Sequence, residues 1–194
     1  MLKKDARVME RLEILVAGKC GLNCRDSSAC GGDHDCEDQV LAPEQAKKYL
    51  RALFLERYIS VDAVVLVGGE PTIAPHTIQT ICEFLERYSA LGLLERMPVF
   101  TLVTNGTPID DGLAQTIKKY DIRVKDSDTA PVRLPLLPLR RGSLKKSLCG
   151  RSCGAGYEGP VALTPNGELY PCHYVGDPQY LLSRFDGRGF DFSY

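Results

Sequence analysis

AVVLVGGEPT, residues 63–72, is the stretch on which the fold turns. Residues 63–67 form a continuous valine-rich apolar run, the pattern of a strand buried on both faces. Two glycines, an acid and a proline then break the run. After Pro75 a stripe of Ile78, Ile81, Cys82 and Leu85 marks one face of a helix. A strand, a tight turn and a helix in that order make half of a βαβ unit.

The same order recurs on either side. LEILVA (12–17) is a short apolar run ending at Gly18, and a helical pattern opens at Pro43 with Ala46, Tyr49, Leu50, Leu53 and Phe54 on one face. VFTLVT (99–104) predicts a third strand, GLAQTIKKY (112–120) a third helix and IRVK (122–125) a fourth strand. Such alternation predicts an α/β fold with a parallel sheet, whose ligands gather at the carboxyl edge of the strands. The unusual residues fall there: Cys20 after the first strand, Gly68, Gly69 and Glu70 after the second, and Thr104, Asn105 and Gly106 after the third.

From Asp126 the pattern fails. TAPVRLPLLPLRRGSLKKSL (129–148) holds three prolines and reads as a connector, its basic run RRGSLKK as a solvated loop. In CGRSCGAGYEGPVALTPNGELYPC (149–172), PNG marks a hairpin turn between two short β-like runs. The last residues, RFDGRGFDFSY, read as a loose aromatic-bearing tail. The chain thus divides into an α/β core (1–128), a connector (129–148) and a cysteine-bearing extension (149–194).

With 44% hydrophobic and 25% charged residues in 194, this is the composition of a globular chain large enough to bury a core. A net charge of −1 offers no electrostatic case for a nucleic-acid or membrane partner. No signal peptide or membrane span is evident, and a cytoplasmic protein is expected. Thiols in that compartment stay reduced, so the grouping of the eight cysteines points to metal. Cys20, Cys24, Cys30 and Cys36 fall together, as do Cys149, Cys153 and Cys172; Cys82, on an apolar helical stripe, reads as a core thiol. No GxxxxGK[ST], HExxH or GxSxG is present, which removes the common nucleotide-binding, zinc-protease and serine-hydrolase classes.

Taken together, CGLNC (20–24) after the first strand, GGEPT (68–72) after the second and TNGT (104–107) after the third resemble the radical S-adenosylmethionine (SAM) enzymes. The resemblance runs from about Leu12 to Thr107. It implies a full or partial (β/α) barrel, here shortened, with three thiolates holding a [4Fe–4S] cluster whose open iron chelates SAM. It also implies a reducing electron donor, a 5′-deoxyadenosyl radical and hydrogen-atom abstraction from an unactivated C–H bond. Cys20 and Cys24 match the first two ligands. Gly68 and Gly69 would admit the SAM methionyl group closely, Glu70 would suit its ammonium, and Thr104 and Asn105 would lie alongside.

The family pattern CxxxCxxC is broken at Ser27, because a serine hydroxyl is a poor iron ligand. Three readings stand. Cys30 takes over the third position, Cys36 does so, or the site is degenerate, natively or by substitution. His34 is a further candidate ligand, imidazole being known on some iron–sulfur clusters. Downstream, Cys153, Gly167 and Cys172 are spaced as in the opening of the SPASM or twitch extension found in radical SAM enzymes that modify peptides. Cys149, Cys153 and Cys172 would then hold an auxiliary iron–sulfur cluster, with an open position or a non-cysteine fourth ligand such as His173; a zinc site is the plainer alternative. The resemblance implies a peptide or protein substrate. A non-enzymatic, metal-stabilised binding or electron-transfer module is the contrasting expectation.

Overall fold

The computed structural model describes residues 7–18, 39–56, 58–105, 109–126, 159–173 and 178–191. Its elements follow in the order β1 (Arg7–Ala17), α1 (Pro43–Glu56), β2 (Tyr58–Gly68), α2 (Pro75–Ala90), β3 (Val99–Thr104), α3 (Asp111–Lys119), β4 (Arg123–Asp126), β5 (Pro160–Leu163), β6 (Glu168–Tyr170) and β7 (Ser183–Arg184). The strands form one sheet ordered β4-β3-β2-β1-β5-β6-β7. Strands β1 to β4 are parallel neighbours, β5 lies parallel to β1 on its other side, and β6 and β7 close the sheet antiparallel.

Strands β1 to β4 therefore run in sequence order, and the three helices lie on one face. That is the winding of a barrel segment, whereas a doubly wound sheet reverses its order and carries helices on both faces. The covered face buries Leu12, Ile14 and Val16 of β1, Val64 and Leu66 of β2, and Phe100 and Leu102 of β3. Against them pack Leu50, Leu53, Ile78, Ile81, Leu85 and Leu113 from the helices. The opposite face carries a smaller apolar group: Leu15, Val65, Val67, Ala162 and Tyr170. Both faces are buried at the centre, which explains why β1 and β2 read as continuous apolar runs.

Local chemistry supports the helix starts. Pro75 opens α2, where its missing N–H costs nothing. The Asp110 carboxylate caps α3 by accepting from the Leu113 N–H at 2.7 Å, and Lys118 and Lys119 occupy the negative end of its dipole.

Three boundaries differ from the sequence reading. Strand β1 starts at Arg7 rather than Leu12, and β2 at Tyr58 rather than Ala63. Met9 and Val61 are fully buried, so these extensions are core and not loop. The final segment is not loose: Ser183–Arg184 pairs with β6, and Phe185 and Phe190 bridge each other. Phe185 packs edge-on to Tyr49 of α1, their ring centroids 5.1 Å apart, and Phe190 lies 6.2 Å from the same ring. Aromatic packing against a distant helix is invisible to local periodicity, which is why a glycine-rich tail concealed it.

The hairpin at PNG forms as read, with Gly167 at φ +75°. A side chain there would strike the Tyr49 ring at 2.8 Å, so the turn both needs glycine and packs on α1. The hairpin continues the core sheet through β5. The connector 129–148 lies outside the described residues.

Candidate functional site

Because β1, β2 and β3 are parallel neighbours, their carboxyl ends share one edge. The chain leaves β1 at Gly18 and returns beside it at Gln39. The Gly18 N–H donates to the Gln39 carbonyl at 2.7 Å, the Leu41 N–H to the Val16 carbonyl at 2.9 Å, and Ala17 bridges Val40. Residues 19–38, which include Cys20, Cys24, Cys30 and Cys36, are thus inserted between two hydrogen-bonded ends.

The GGEPT turn is fastened to the same point. The Gly69 N–H donates to the Ala17 carbonyl at 2.6 Å. Gly68 adopts φ +136°, and a Cβ built on it would lie 2.1 Å from that carbonyl oxygen. The backbones approach so closely that any side chain is excluded. Glu70 follows, 1% exposed, with both carboxylate oxygens engaged. Its Oε1 accepts from the Thr72 N–H at 3.0 Å, the Thr72 hydroxyl at 2.7 Å and the Thr104 hydroxyl at 2.8 Å. Its Oε2 accepts from the Asn105 N–H at 2.8 Å. The carboxylate therefore ties the turn after β2 to the end of β3. Thr104 is buried at that junction, and Asn105 half-buried.

A second cluster lies on the sheet face opposite the helices. Glu13 sits in the middle of a register row running Tyr170, Ala162, Glu13, Val65 and Thr101 across five strands. It is 3% exposed. Its Oε2 accepts from the His173 backbone N–H at 2.9 Å and lies 2.6 Å from His173 Nδ1. A carboxylate only accepts, so Nδ1 carries the proton. Arg11 Nε lies 2.8 Å from Oε1, an ion pair by distance whose angle falls short of a hydrogen bond. Burial pushes the Glu13 carboxyl up. The His173 hydrogen bond and the His173 and Arg11 charges outweigh that and hold it below its ordinary range. Cys172 adjoins: one ligand atom each from Glu13, Cys172 and His173 lie within 4.8 Å of one another.

Of the residues read as ligands and contacts, Gly68, Gly69, Glu70, Thr104 and Asn105 come together at one edge, and Cys172 lies at the end of β6. Cys20, Cys24, Cys30, Cys149 and Cys153 lie outside the described residues, as do Ser27, Cys36 and His34. Cys82 is fully buried on α2, as its stripe predicts, and burial first, then the Glu83 and Glu86 charges, push its thiol up to about 12. Glu13 escaped the sequence reading. The available signal was a lone acid inside LEILVA, where both neighbours are apolar and the strand is central.

No family model matches the chain. Over 139 residues it is 24% identical to the radical SAM cyclopropyl synthase TigE of Paramaledivibacter caminithermalis, a match covering 64% of this chain and 28% of that protein. The chain thus spans under a third of that relative's length. Among solved structures, BtrN in complex with AdoMet and 2-DOIA superposes with a TM-score of 0.56 at 12% identity, over 92% of this chain and 79% of BtrN. The native anSMEcpe structure with bound AdoMet gives 0.54 at 15% identity, over 91% and 78% of the two chains. With AdoMet and the Cp18Cys peptide bound, anSMEcpe gives 0.50 at 15% identity, over 92% and 77%. The fold is that of the radical SAM enzymes. Among the described residues, no helix is long and apolar enough to cross a membrane.

Proposed function

We propose that the chain is a compact radical SAM enzyme acting by hydrogen-atom abstraction on a peptide or protein substrate. The observation that carries this reading is the shared anchor at Ala17. Its carbonyl holds the GGEPT turn, and the cysteine-bearing segment 19–38 begins two residues later. A three-thiolate cluster with one open iron and a chelated amino acid need that adjacency of a thiol loop and a side-chain-free backbone surface.

The residues present suit such a group. Cys20, Cys24 and Cys30 would hold a [4Fe–4S] cluster, with Cys30 replacing the ligand missing at Ser27. Gly68 has the Ala17 carbonyl where a Cβ would stand, so glycine there permits the close approach that sets the GGEPT turn beside the start of the thiol segment. When bound and reduced by an external electron donor, the cluster supplies the electron that makes SAM a radical source. Glu70, with both oxygens committed to the protein, would act through the backbone it fixes rather than by meeting the SAM ammonium directly. Cys149, Cys153 and Cys172 would hold a second metal centre, iron–sulfur or zinc. The AdoMet bound in BtrN and anSMEcpe, and the peptide bound by anSMEcpe, support SAM and a peptide as partners here.

The test is EPR of anaerobically reconstituted, reduced protein before and after adding SAM. A [4Fe–4S] signal that shifts with SAM and disappears in Cys30→Ser supports the assignment. A shift that survives Cys30→Ser but not Cys36→Ser moves the third ligand. A spectrum indifferent to SAM makes Ser27 the mark of a degenerate site, and the chain a metal-stabilised binding or electron-transfer module.

A further inference from the structure

Glu13 poses a problem that the proposed SAM site leaves untouched. A carboxylate held in the centre of a sheet, between Val65 and Ala162, is costly to bury. The chain spends it on His173, 160 residues away, with two contacts from the same residue to one oxygen. Simple anchoring of the segment after β6 would be met by the backbone N–H alone. The imidazole is added to the same oxygen, and a thiol stands beside it. Carboxylate, imidazole and thiolate are the three side chains that bind zinc, and here they converge from β1 and from the end of β6.

We propose that Glu13, Cys172 and His173 bind one divalent transition-metal ion of zinc type, as three protein ligands with a fourth position open to water. This rests on the reading that Cys172 belongs to a metal centre, and it names Glu13 and His173 as that centre's ligands beside Cys172 in place of Cys149 and Cys153. The geometry needs only side-chain adjustment. Ligand atoms around tetrahedral zinc lie roughly 3.3–3.6 Å apart, given bonds of about 2.0–2.3 Å. The three atoms here fall within 4.8 Å, and the Nδ1–Oε2 pair at 2.6 Å has to open by less than an ångström. On binding, the cation takes Nδ1, whose proton is exchanged through solvent to Nε2 so that the imidazole stays neutral, and the proton of the Cys172 thiol leaves to solvent. Arg11 remains on Oε1, the kind of outer partner that fixes a ligating carboxylate. Nothing is oxidised or reduced.

The proposal is tested by titrating Co²⁺ into the chelator-treated full chain carrying Cys20→Ser, Cys24→Ser, Cys30→Ser and Cys36→Ser, so that the first cysteine group contributes no signal. One equivalent should bind with a thiolate-to-cobalt charge-transfer band and the d–d bands of a four-coordinate ion, and zinc should displace it. Cys172→Ser should abolish the charge-transfer band. His173→Ala and Glu13→Gln should each weaken binding at least tenfold, and the release of about one proton should be lost in Cys172→Ser and kept in His173→Ala at saturating cobalt. Far-UV circular dichroism guards against misfolding in Glu13→Gln and in His173→Ala, which takes a partner from the buried Glu13 carboxylate. Cobalt binding that ignores His173 and Glu13 but needs Cys149, Cys153 and Cys172 overturns this proposal and leaves the all-cysteine second centre standing. No binding in any form overturns both.

Discussion

Ala17 and Gly68 are register partners at the ends of β1 and β2, and a Cβ at Gly68 would stand 2.1 Å from the Ala17 carbonyl oxygen. That oxygen already accepts the Gly69 N–H. The contact joins the two segments that the proposed function needs side by side. Gly68→Ala should therefore destabilise the fold by roughly 2–4 kcal/mol, from strain at φ +136° and separation of the strand ends. Urea denaturation measures this. An unchanged midpoint would mean that the turn relaxes freely and is no fixed anchor.

Glu70 is predicted to act as a clamp. In Glu70→Gln an amide NH₂ replaces one acceptor and faces a donor, either the Asn105 N–H or the hydroxyls of Thr72 and Thr104. A loss of about 1–3 kcal/mol is expected. Thr104→Val removes one donor to Oε1 and should cost about 1 kcal/mol. A double-mutant cycle should show the two losses to be coupled; strict additivity would place Glu70's role outside this network.

Cys82 should be chemically silent in the folded protein. With its thiol at about 12, the thiolate fraction at pH 8 is about one in ten thousand, and burial blocks access. Peptide mapping after iodoacetamide treatment should show it unmodified until denaturant is added. The same shift fixes the sign of a pH effect. The folded value lies above the unfolded one, near 9, so the Cys82 contribution is full below pH 9 and is lost as pH rises toward 12. The stability difference between wild type and Cys82→Ala should shrink over that window and stay flat below it.

Phe190 closes the aromatic group that docks the end of the chain on α1. It is 6% exposed, and Phe190→Ala should cost roughly 2–4 kcal/mol, as for a core phenylalanine. Hydrogen exchange should show loss of protection in β7 and the β5–β6 hairpin before the rest of the sheet. Uniform exchange across all strands would contradict the arrangement.

The sequence by itself determined the alternation of strands and helices, the parallel sheet and the residues at its carboxyl edge. Those are local signals: apolar period, proline at a helix start, glycine at a turn. It also marked Cys82 as core and PNG as a hairpin. Only the tertiary structure decided what the polar residues do. Glu70 reads as a free acid in GGEPT, yet folding brings Thr104 and Asn105 to both its oxygens. Glu13 reads as an interruption in LEILVA, yet His173 reaches it from the far end of the chain. Phe190 reads as tail, yet it lies under α1 near Tyr49. Periodicity states which way a side chain points from its own strand. It carries no information about which distant group will be there, because that is set by register and packing across the sheet.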